Sequence, residues 1–274
     1  MKKRKGILLS VSGLCIVVVF LIPIYWMVIS ALKDSMEIFA NPPTMFPKEI
    51  YLNNFQKLIS DREFTKYLKN SSIIGLGSMF LAVVLAAPCA YGLARKKIKG
   101  AELLLFVIII IQMVPSTSMA LPLYAMFTKI KITNNYIGII IANVVSSLPF
   151  VVLVLRTSFL SIPSGLEEAA YIDGCGAWRA FTRIILPLIK PALLTCATFS
   201  FVFAWGEFMY SLVLLSDKQY WPLTVGMRTF IGQYGTDWGS LMAAATLASL
   251  PIIIIFVLTQ KYVVGGITAG AIKG

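Results

Sequence analysis

Long apolar stretches separated by short polar segments dominate the sequence. A bilayer core of about 30 Å needs roughly 20 apolar residues in a helix, and six stretches meet that length. They cover residues 7–32, 70–94, 103–128, 132–155, 191–216 and 240–260. Glu207 is the one formally charged residue inside any of them. The pattern therefore predicts an all-α integral membrane protein with six transmembrane helices in a single domain, residues 1–274.

Composition supports a membrane protein and narrows the meaning of its charge. The chain is 58% hydrophobic and 13% charged, with a mean hydropathy of +0.83. Its net charge of +12 is carried by basic residues that flank the apolar stretches, which indicates contact with lipid headgroups and a topology signal. Nucleic acid is therefore not an expected partner. The first apolar stretch has 26 uncharged residues, which is too long for a cleaved signal peptide.

The distribution of lysine and arginine predicts the orientation. If the N-terminus is cytoplasmic, 14 of the 24 basic residues fall in cytoplasmic segments, as the positive-inside rule requires. The short segment RKKIKG at residues 95–100 is the clearest of these signals. We therefore expect both termini and the segment 156–190 to be cytoplasmic.

One cytoplasmic segment, residues 161–187, is charged and helical in pattern. Ser164 followed three residues later by Glu167 is typical of a capping box at a helix N-terminus. Gly174 suits the position after the helix end, where a left-handed conformation is common. A second helical stretch, Ala177–Leu186, is expected to run to Pro187, where the chain breaks before it re-enters the membrane.

The first of these short helices has two faces at 100° per residue. One face holds Leu166, Ala169, Ala170 and Asp173, and the other holds Glu167, Glu168, Tyr171 and Ile172. The alternative to a protein partner is a helix lying on the inner leaflet. That leaflet is anionic, and helices that bind it carry Lys and Arg on the polar face. The two carboxylates therefore favour a protein partner that supplies basic side chains.

Catalytic and metal sites find little support in the sequence. The chain has no histidine, its four cysteines form no CxxC pair, and there is no GxxxxGK[ST] nucleotide loop. We therefore expect no enzyme activity and no cofactor bound by this chain. Two hypotheses remain: a membrane protein that depends on a partner protein, and a secondary transporter or channel that works alone. Ion-coupled secondary transport normally uses several buried acids or histidines, which this chain lacks. Co-purification distinguishes the two hypotheses, because a secondary transporter would be purified and would transport without a partner.

A few polar and aromatic residues are candidates to line a transport pathway. Gln112, Asn143 and Glu207 are expected near the midplane of their spans, where polar groups are often functional. Trp205 and Tyr210 flank Glu207, and aromatic faces suit sugar rings. The alternative is that these residues make hydrogen bonds between packed helices.

The external segment 33–69 divides into an irregular part and an amphipathic part. Three prolines in NPPTMFPKEIYLNNF exclude regular helix there. The following stretch places Phe55, Leu58, Ile59 and Phe64 at helical spacing, which predicts a short surface helix that leads into the second span.

The cytoplasmic segment resembles a known family. Glu168-Ala169-Ala170, then Gly174, then Ile184-x-Leu186-Pro187 is similar to the EAA loop of binding-protein-dependent ABC importer permeases. Other stretches resemble the carbohydrate-uptake branch, in particular its maltose-permease-type subunit. These are MVPSTSMALPLYAMF, PFVVLVLRTSFLSIPSGLEEAAYIDG, FAWGEF and QKYVVGGITAGAIKG. Two departures from the family pattern are Cys175 after the glycine and Gly206 after the tryptophan.

The resemblance implies a type I ABC importer permease that moves a sugar or oligosaccharide across a bacterial or archaeal cell membrane. The EAA helix would couple it to cytosolic ATPases through Glu167, Glu168, Ala169, Ala170, Asp173 and Gly174. In that family Glu168 pairs with a basic ATPase residue, the two alanines allow close seating, and Gly174 permits the turn. The resemblance further implies a second permease, two ATPase subunits that hold ATP and Mg²⁺, and an external solute-binding protein. The tail Ala269–Gly274 would also touch the ATPases.

Overall fold

The computed structural model describes residues 2–96, 98–232 and 235–271, the side chains of 2–9 and 263–271 excepted. The α-helices, in chain order, are α1 (Lys2–Ala31), α2 (Ser35–Ile38), α3 (Asn53–Ser60), α4 (Arg62–Arg95), α5 (Ala101–Gln112), α6 (Ser116–Lys129), α7 (Tyr136–Leu160), α8 (Gly165–Ile172), α9 (Ala177–Ala180), α10 (Leu186–Leu188), α11 (Lys190–Gly206), α12 (Met209–Leu214), α13 (Leu223–Gly226) and α14 (Trp238–Ala271). A π-helical segment, Phe181–Ile185, joins α9 to α10. Two 3₁₀ turns cover Lys218–Tyr220 and Met227–Phe230, and strands β1 (Ile231–Gly232) and β2 (Gly235–Thr236) pair antiparallel.

The long helices account for the predicted spans. Four helices, α1, α4, α7 and α14, are long and apolar enough to cross a membrane. Two bent helix pairs raise the count among the described residues to six if each pair is one span. The predicted helical membrane fold is therefore confirmed, although the helix ends differ: α4 begins at Arg62 rather than at residue 70, and α7 extends to Leu160.

The third predicted span, residues 103–128, is not one continuous helix. α5 and α6 meet at an angle of 101°. Pro115 at the start of α6 has extended backbone (φ −60°, ψ 136°). A proline ring cannot continue an incoming helix and also disfavours helical dihedrals in the residue before it, so the chain turns here. The predicted third span is therefore divided between two helices at this proline.

The entry into the fifth span also bends, but not where we expected. The break lies at Ile189 (φ −96°, ψ 15°), where the helical segment that ends at Leu188 meets α11 at 79°. Pro187, the predicted break, lies inside α10. The π-helical turn just before it changes the hydrogen-bond register, which is one way a helix accommodates a residue without an N–H. Pro191 then occupies the first turn of α11, where the missing N–H costs nothing.

The chain forms two compact units. One comprises Met1–Thr65 and Gly226–Pro251, and the other comprises Lys66–Val225 and Ile252–Gly274. In the first, the Asn54 amide donates to the carbonyl oxygens of Ala31 and Lys33, both at 3.0 Å, and so fixes α3 to the end of α1. The predicted surface helix is confirmed as α3, with Leu58 buried and Ile59 exposed.

The second unit contains two apolar cores and holds the candidate site. The first core gathers residues from α4, α7, the π-helical segment and α11, and the second gathers residues from α4, α6, α7 and α12. Two glycines of α4, Gly75 and Gly77, lie close to side chains of neighbouring helices. A Cβ on Gly75 would lie 2.9 Å from Cε2 of Phe201, and one on Gly77 would lie 2.7 Å from Cδ1 of Ile140. The tight core around α4 therefore leaves no room for larger residues there.

Candidate coupling site

The helix α8 has eight residues, about two turns, and its N-terminus is not the predicted capping box. Ser164 is the N-cap, but its hydroxyl makes no capping hydrogen bond and its backbone is helical (φ −63°, ψ −27°). The first turn is closed by the backbone, since the Glu167 N–H donates to the Ser164 carbonyl oxygen at 2.9 Å. The Glu167 carboxylate, which a capping box would direct back to Ser164, instead points to α4.

The C-terminus of α8 has the predicted glycine turn. Gly174 is left-handed (φ +80°) and follows the C-cap Asp173. Its N–H donates to the Tyr171 carbonyl oxygen at 3.1 Å, and the Cys175 N–H donates to that of Ala170 at 2.9 Å. These two bonds are those of a Schellman motif, which ends a helix with its last carbonyls satisfied. The structure therefore confirms the turn at Gly174 and gives α8 a fixed end.

Glu167 is directed into the bundle and not toward a partner. Its Oε1 lies 2.6 Å from Nε of Arg95, and its Oε2 accepts a hydrogen bond from the Tyr91 hydroxyl at 2.9 Å. Arg95 also donates from Nη2 to the Ile162 carbonyl oxygen at 2.8 Å. Glu167 is 7% exposed. The expectation that Glu167 and Glu168 share an outward face is therefore wrong, because one of the two carboxylates is used within the chain.

The outward face of α8 is acidic and apolar. Besides Glu167, the one buried residue of the helix is Ala170, at 4% exposed. Glu168, Ala169 and Asp173 are exposed, and Ile172 is 86% exposed. The adjacent α9 adds Trp178, 71% exposed, beside a depression of about 410 Å³ that is lined by residues Gly174 and Gly176–Arg179. An exposed isoleucine and tryptophan next to two acids form a surface suited to a protein partner.

Two of the five pathway candidates line one cavity in the second unit. Gln112, at the end of α5, and Tyr210, on α12, face a cavity of about 500 Å³ at the α5–α6 bend. The Tyr210 and Ser146 hydroxyls are hydrogen-bonded at 2.9 Å. The wall also carries aromatic rings that the sequence reasoning missed, with Phe150 and Phe199 centroids 4.0 Å apart. Phe199 and Phe203 are four residues apart on α11, and that spacing was the available signal.

The other three candidates lie outside that lining, and their pathway role stays a prediction. Glu207 interrupts the fifth span between α11 and α12. Its carboxylate accepts from the backbone N–H groups of Tyr210 at 2.6 Å and Ser211 at 2.9 Å, and from the Ser211 hydroxyl at 3.0 Å. Trp205 stacks on Phe201 at 5.3 Å. The Asn143 amide is buried, and neither of its polar atoms has a partner among the described residues.

Within the described part of the chain, no group of three or more His, Cys, Asp or Glu residues could hold a metal ion. The tail Ala269–Gly274 falls partly outside the described residues, since the description ends at residue 271.

Comparisons with known proteins agree with this architecture. The chain is 32% identical over 265 residues to the diacetylchitobiose uptake system permease protein DasC of Streptomyces coelicolor, covering 97% of this chain and 96% of that protein. It is 33% identical over 273 residues to the trehalose/maltose transport system permease protein MalG of Thermococcus litoralis, covering 98% of each.

Solved structures show the same fold. A chain of a bacterial ABC transporter involved in the import of the acidic polysaccharide alginate superposes with a TM-score of 0.81. That match is 21% identical and covers 95% of this chain and 97% of that chain. A chain of the inward-facing MetNI methionine ABC transporter matches with a TM-score of 0.58 over 77% of this chain.

A family model supplies the last comparison. The model described as "Binding-protein-dependent transport system inner membrane component" matches residues 78–268, well over half of the chain. With that match and relatives above 30% identity along nearly the whole sequence, this protein belongs to the inner membrane components of binding-protein-dependent transport systems.

Proposed function

We propose that this chain is one of two permease subunits of an ATP-driven importer for a sugar or oligosaccharide, and that α8 is the segment on which cytosolic ATPase subunits act. The observation that carries the proposal is the outward face of α8. Glu168, Ala169 and Ile172 are exposed on a short helix whose far end is fixed by the Gly174 turn. An acidic and apolar face of this kind suits a cleft with basic residues at its rim.

The substrate class is supported by the named relatives. One is described as a diacetylchitobiose uptake permease and another as a trehalose/maltose permease. The chain's own share of the pathway runs past Gln112 and Tyr210, where polar groups and aromatic rings line one cavity. Flat aromatic faces beside hydrogen-bonding groups suit a sugar ring, which has apolar and polar sides.

ATP and Mg²⁺ belong in this proposal to the partner ATPases, because the chain has no nucleotide loop. Both termini and α8 are cytoplasmic, as the lysine and arginine distribution indicates. Labelling checks this orientation. In a Cys175→Ala background, a membrane-impermeant maleimide on intact cells is expected to modify Glu49→Cys and not Asp173→Cys. Modification of the second cysteine would contradict a cytoplasmic α8.

The decisive experiment replaces Glu168 by lysine. Glu168→Lys reverses the charge of the outward face, so the permease should remain in the membrane but lose its ATPase subunits on purification. Glu102→Lys is the matched control, because it makes the same charge change at an exposed site at the start of α5. ATPase subunits retained by Glu168→Lys, or uptake by the chain alone, would overturn the proposal. A sugar panel tested by thermal shift on the cognate solute-binding protein then identifies the substrate.

A further inference from the structure

Two carboxylates follow one another at the start of α8, and only one of them is available to an ATPase. Glu168 is exposed, whereas both oxygens of Glu167 are taken up by side chains of α4. The proposed docking role of Glu168 leaves Glu167 and its two α4 partners, Tyr91 and Arg95, without an assigned task.

The contact between α8 and the bundle is narrow. Of the eight residues of α8, Glu167 and Ala170 are buried, and the alanine contributes a single methyl group. Leu166 and Tyr171 remain 45% and 44% exposed, so apolar packing covers α8 only in part. The link from Glu167 to Arg95 is instead a charge-assisted hydrogen bond of 2.6 Å, with a fixed direction and length.

Arg95 holds α8 at two places. Its Nε contacts Glu167 in the first turn of the helix, and its Nη2 contacts the carbonyl oxygen of Ile162 in the chain that leads into the helix. Both bonds leave the same planar guanidinium, so the helix start and its leading segment are kept in one geometry relative to the end of α4. A lysine cannot reproduce that fork.

Tyr91 extends the same connection into the core. Its hydroxyl donates to Glu167, and its ring packs on Phe181 at 4.8 Å and on Phe159 at 5.4 Å between centroids. The ends of α4 and α7 and the π-helical segment therefore meet at one side chain. A buried ion pair adds little net stability compared with apolar packing, so its value lies in the specific arrangement that it enforces.

Resting on the proposed function, we propose that Glu167 is a positioning residue that transmits movement from the ATPases to the membrane helices. Through Arg95 and Tyr91 it fixes α8 to the cytoplasmic end of α4. A displacement of the outward face of α8 by an ATPase subunit therefore also moves the membrane helices. Glu168 binds the ATPase subunit, and Glu167 connects that contact to the helices that form the pathway. Loss of Glu168 separates the subunits. Loss of Glu167 leaves them assembled, but ATP hydrolysis no longer drives transport.

The test compares neutral variants of the Glu167–Arg95 pair with the charge reversal at Glu168, in the whole transporter with its ATPases and binding protein. Glu167→Gln and Arg95→Gln are expected to keep the ATPase subunits bound, within about twofold of wild type. Uptake should fall by about tenfold while ATP hydrolysis under the same transport conditions stays near the wild-type rate, so the sugar moved per ATP hydrolysed drops by the same factor. Glu168→Lys, in contrast, should release the ATPases; if it does not, the proposed function fails independently of the role of Glu167.

Two further variants protect this test against simple misfolding. Tyr91→Phe removes one hydroxyl and keeps the ring contacts, so it should lower the uptake-to-hydrolysis ratio by about twofold to threefold. The exchanged pair Glu167→Arg with Arg95→Glu should recover part of the ratio that each single change removes. Wild-type coupling in Glu167→Gln would overturn the inference. Release of the ATPases by Glu167→Gln would also overturn the inference, because Glu167 would then itself contact an ATPase subunit.

Discussion

Two buried carboxylates of the second unit are satisfied in opposite ways. Glu167, on α8, is bound by side chains of another helix, Arg95 and Tyr91. Glu207 in the fifth span is bound by the backbone N–H groups and hydroxyl of residues three and four positions ahead. The first carboxylate joins two distant parts of the chain, and the second only ends one helix and begins the next.

The difference shows that burial of an acid does not by itself reveal its role. The role follows from the chemical identity of the groups that bind the carboxylate. A carboxylate held by side chains can be exchanged together with its partners, whereas the backbone N–H groups that hold Glu207 remain after any substitution except proline. Thermal unfolding of the purified transporter measures the resulting differences in stability.

The largest loss of stability is expected for Glu207→Leu. It leaves two backbone N–H groups and one hydroxyl at the start of α12 without an acceptor, which should cost on the order of 3 kcal/mol. Glu207→Gln keeps an amide oxygen as an acceptor and should lose about half as much. Equal melting temperatures for Glu207→Leu and wild type would show that the cap is not needed to hold the break in the span.

A smaller loss of stability, which a second substitution can partly recover, is expected at Glu167. Glu167→Leu leaves the Arg95 guanidinium partly buried with one remaining acceptor, the Ile162 carbonyl, and should cost about 2 kcal/mol. Adding Arg95→Leu removes that stranded charge. The double variant should therefore be more stable than the Glu167→Leu single variant. A double variant less stable than either single one would contradict this account.

The third loss concerns the turn that ends α8. Gly174→Ala places a side chain at φ +80°, a left-handed conformation that should cost about 1 kcal/mol. No atom lies within 4 Å of the added Cβ, so the cost is conformational and not steric. Gly176→Ala is the matched control, because its backbone is extended (φ −70°, ψ 157°) and its Cβ position is equally open. Equal losses at both positions would show that the turn is not strained.

Local signals in the sequence predicted well what local chemistry decides. The apolar stretches gave the long helices, and Gly174 gave the Schellman turn, because both depend on residues within a few positions. The break at Pro115 could have been read from the same kind of signal, since proline ends an incoming helix.

The sequence could not show which residues that are far apart in the chain contact each other. Arg95 lies 72 residues before Glu167, and nothing in the segment 161–187 indicates that one of its three acids already has a partner within the chain. Glu207 is buried, at 9% exposed, and its depth near the membrane midplane stays a prediction. Its position along the span could not show the break in the helix. A serine four residues after the acid and a glycine just before it were the available signals for a cap.

The smallest predicted effect is a difference in stability between alanine substitutions at two buried serines of the fifth span, Ser211 and Ser200. The Ser211 hydroxyl donates to Glu207 at 3.0 Å, while the Ser200 hydroxyl is buried without a partner among the described residues. Ser211→Ala removes one of three donors and leaves its backbone N–H in place, so it should cost about 0.5–1 kcal/mol. Ser200→Ala removes an unsatisfied group and should be neutral or slightly stabilising. If both substitutions cost the same, the hydroxyl adds nothing to the cap, and Glu207 is held by the backbone alone.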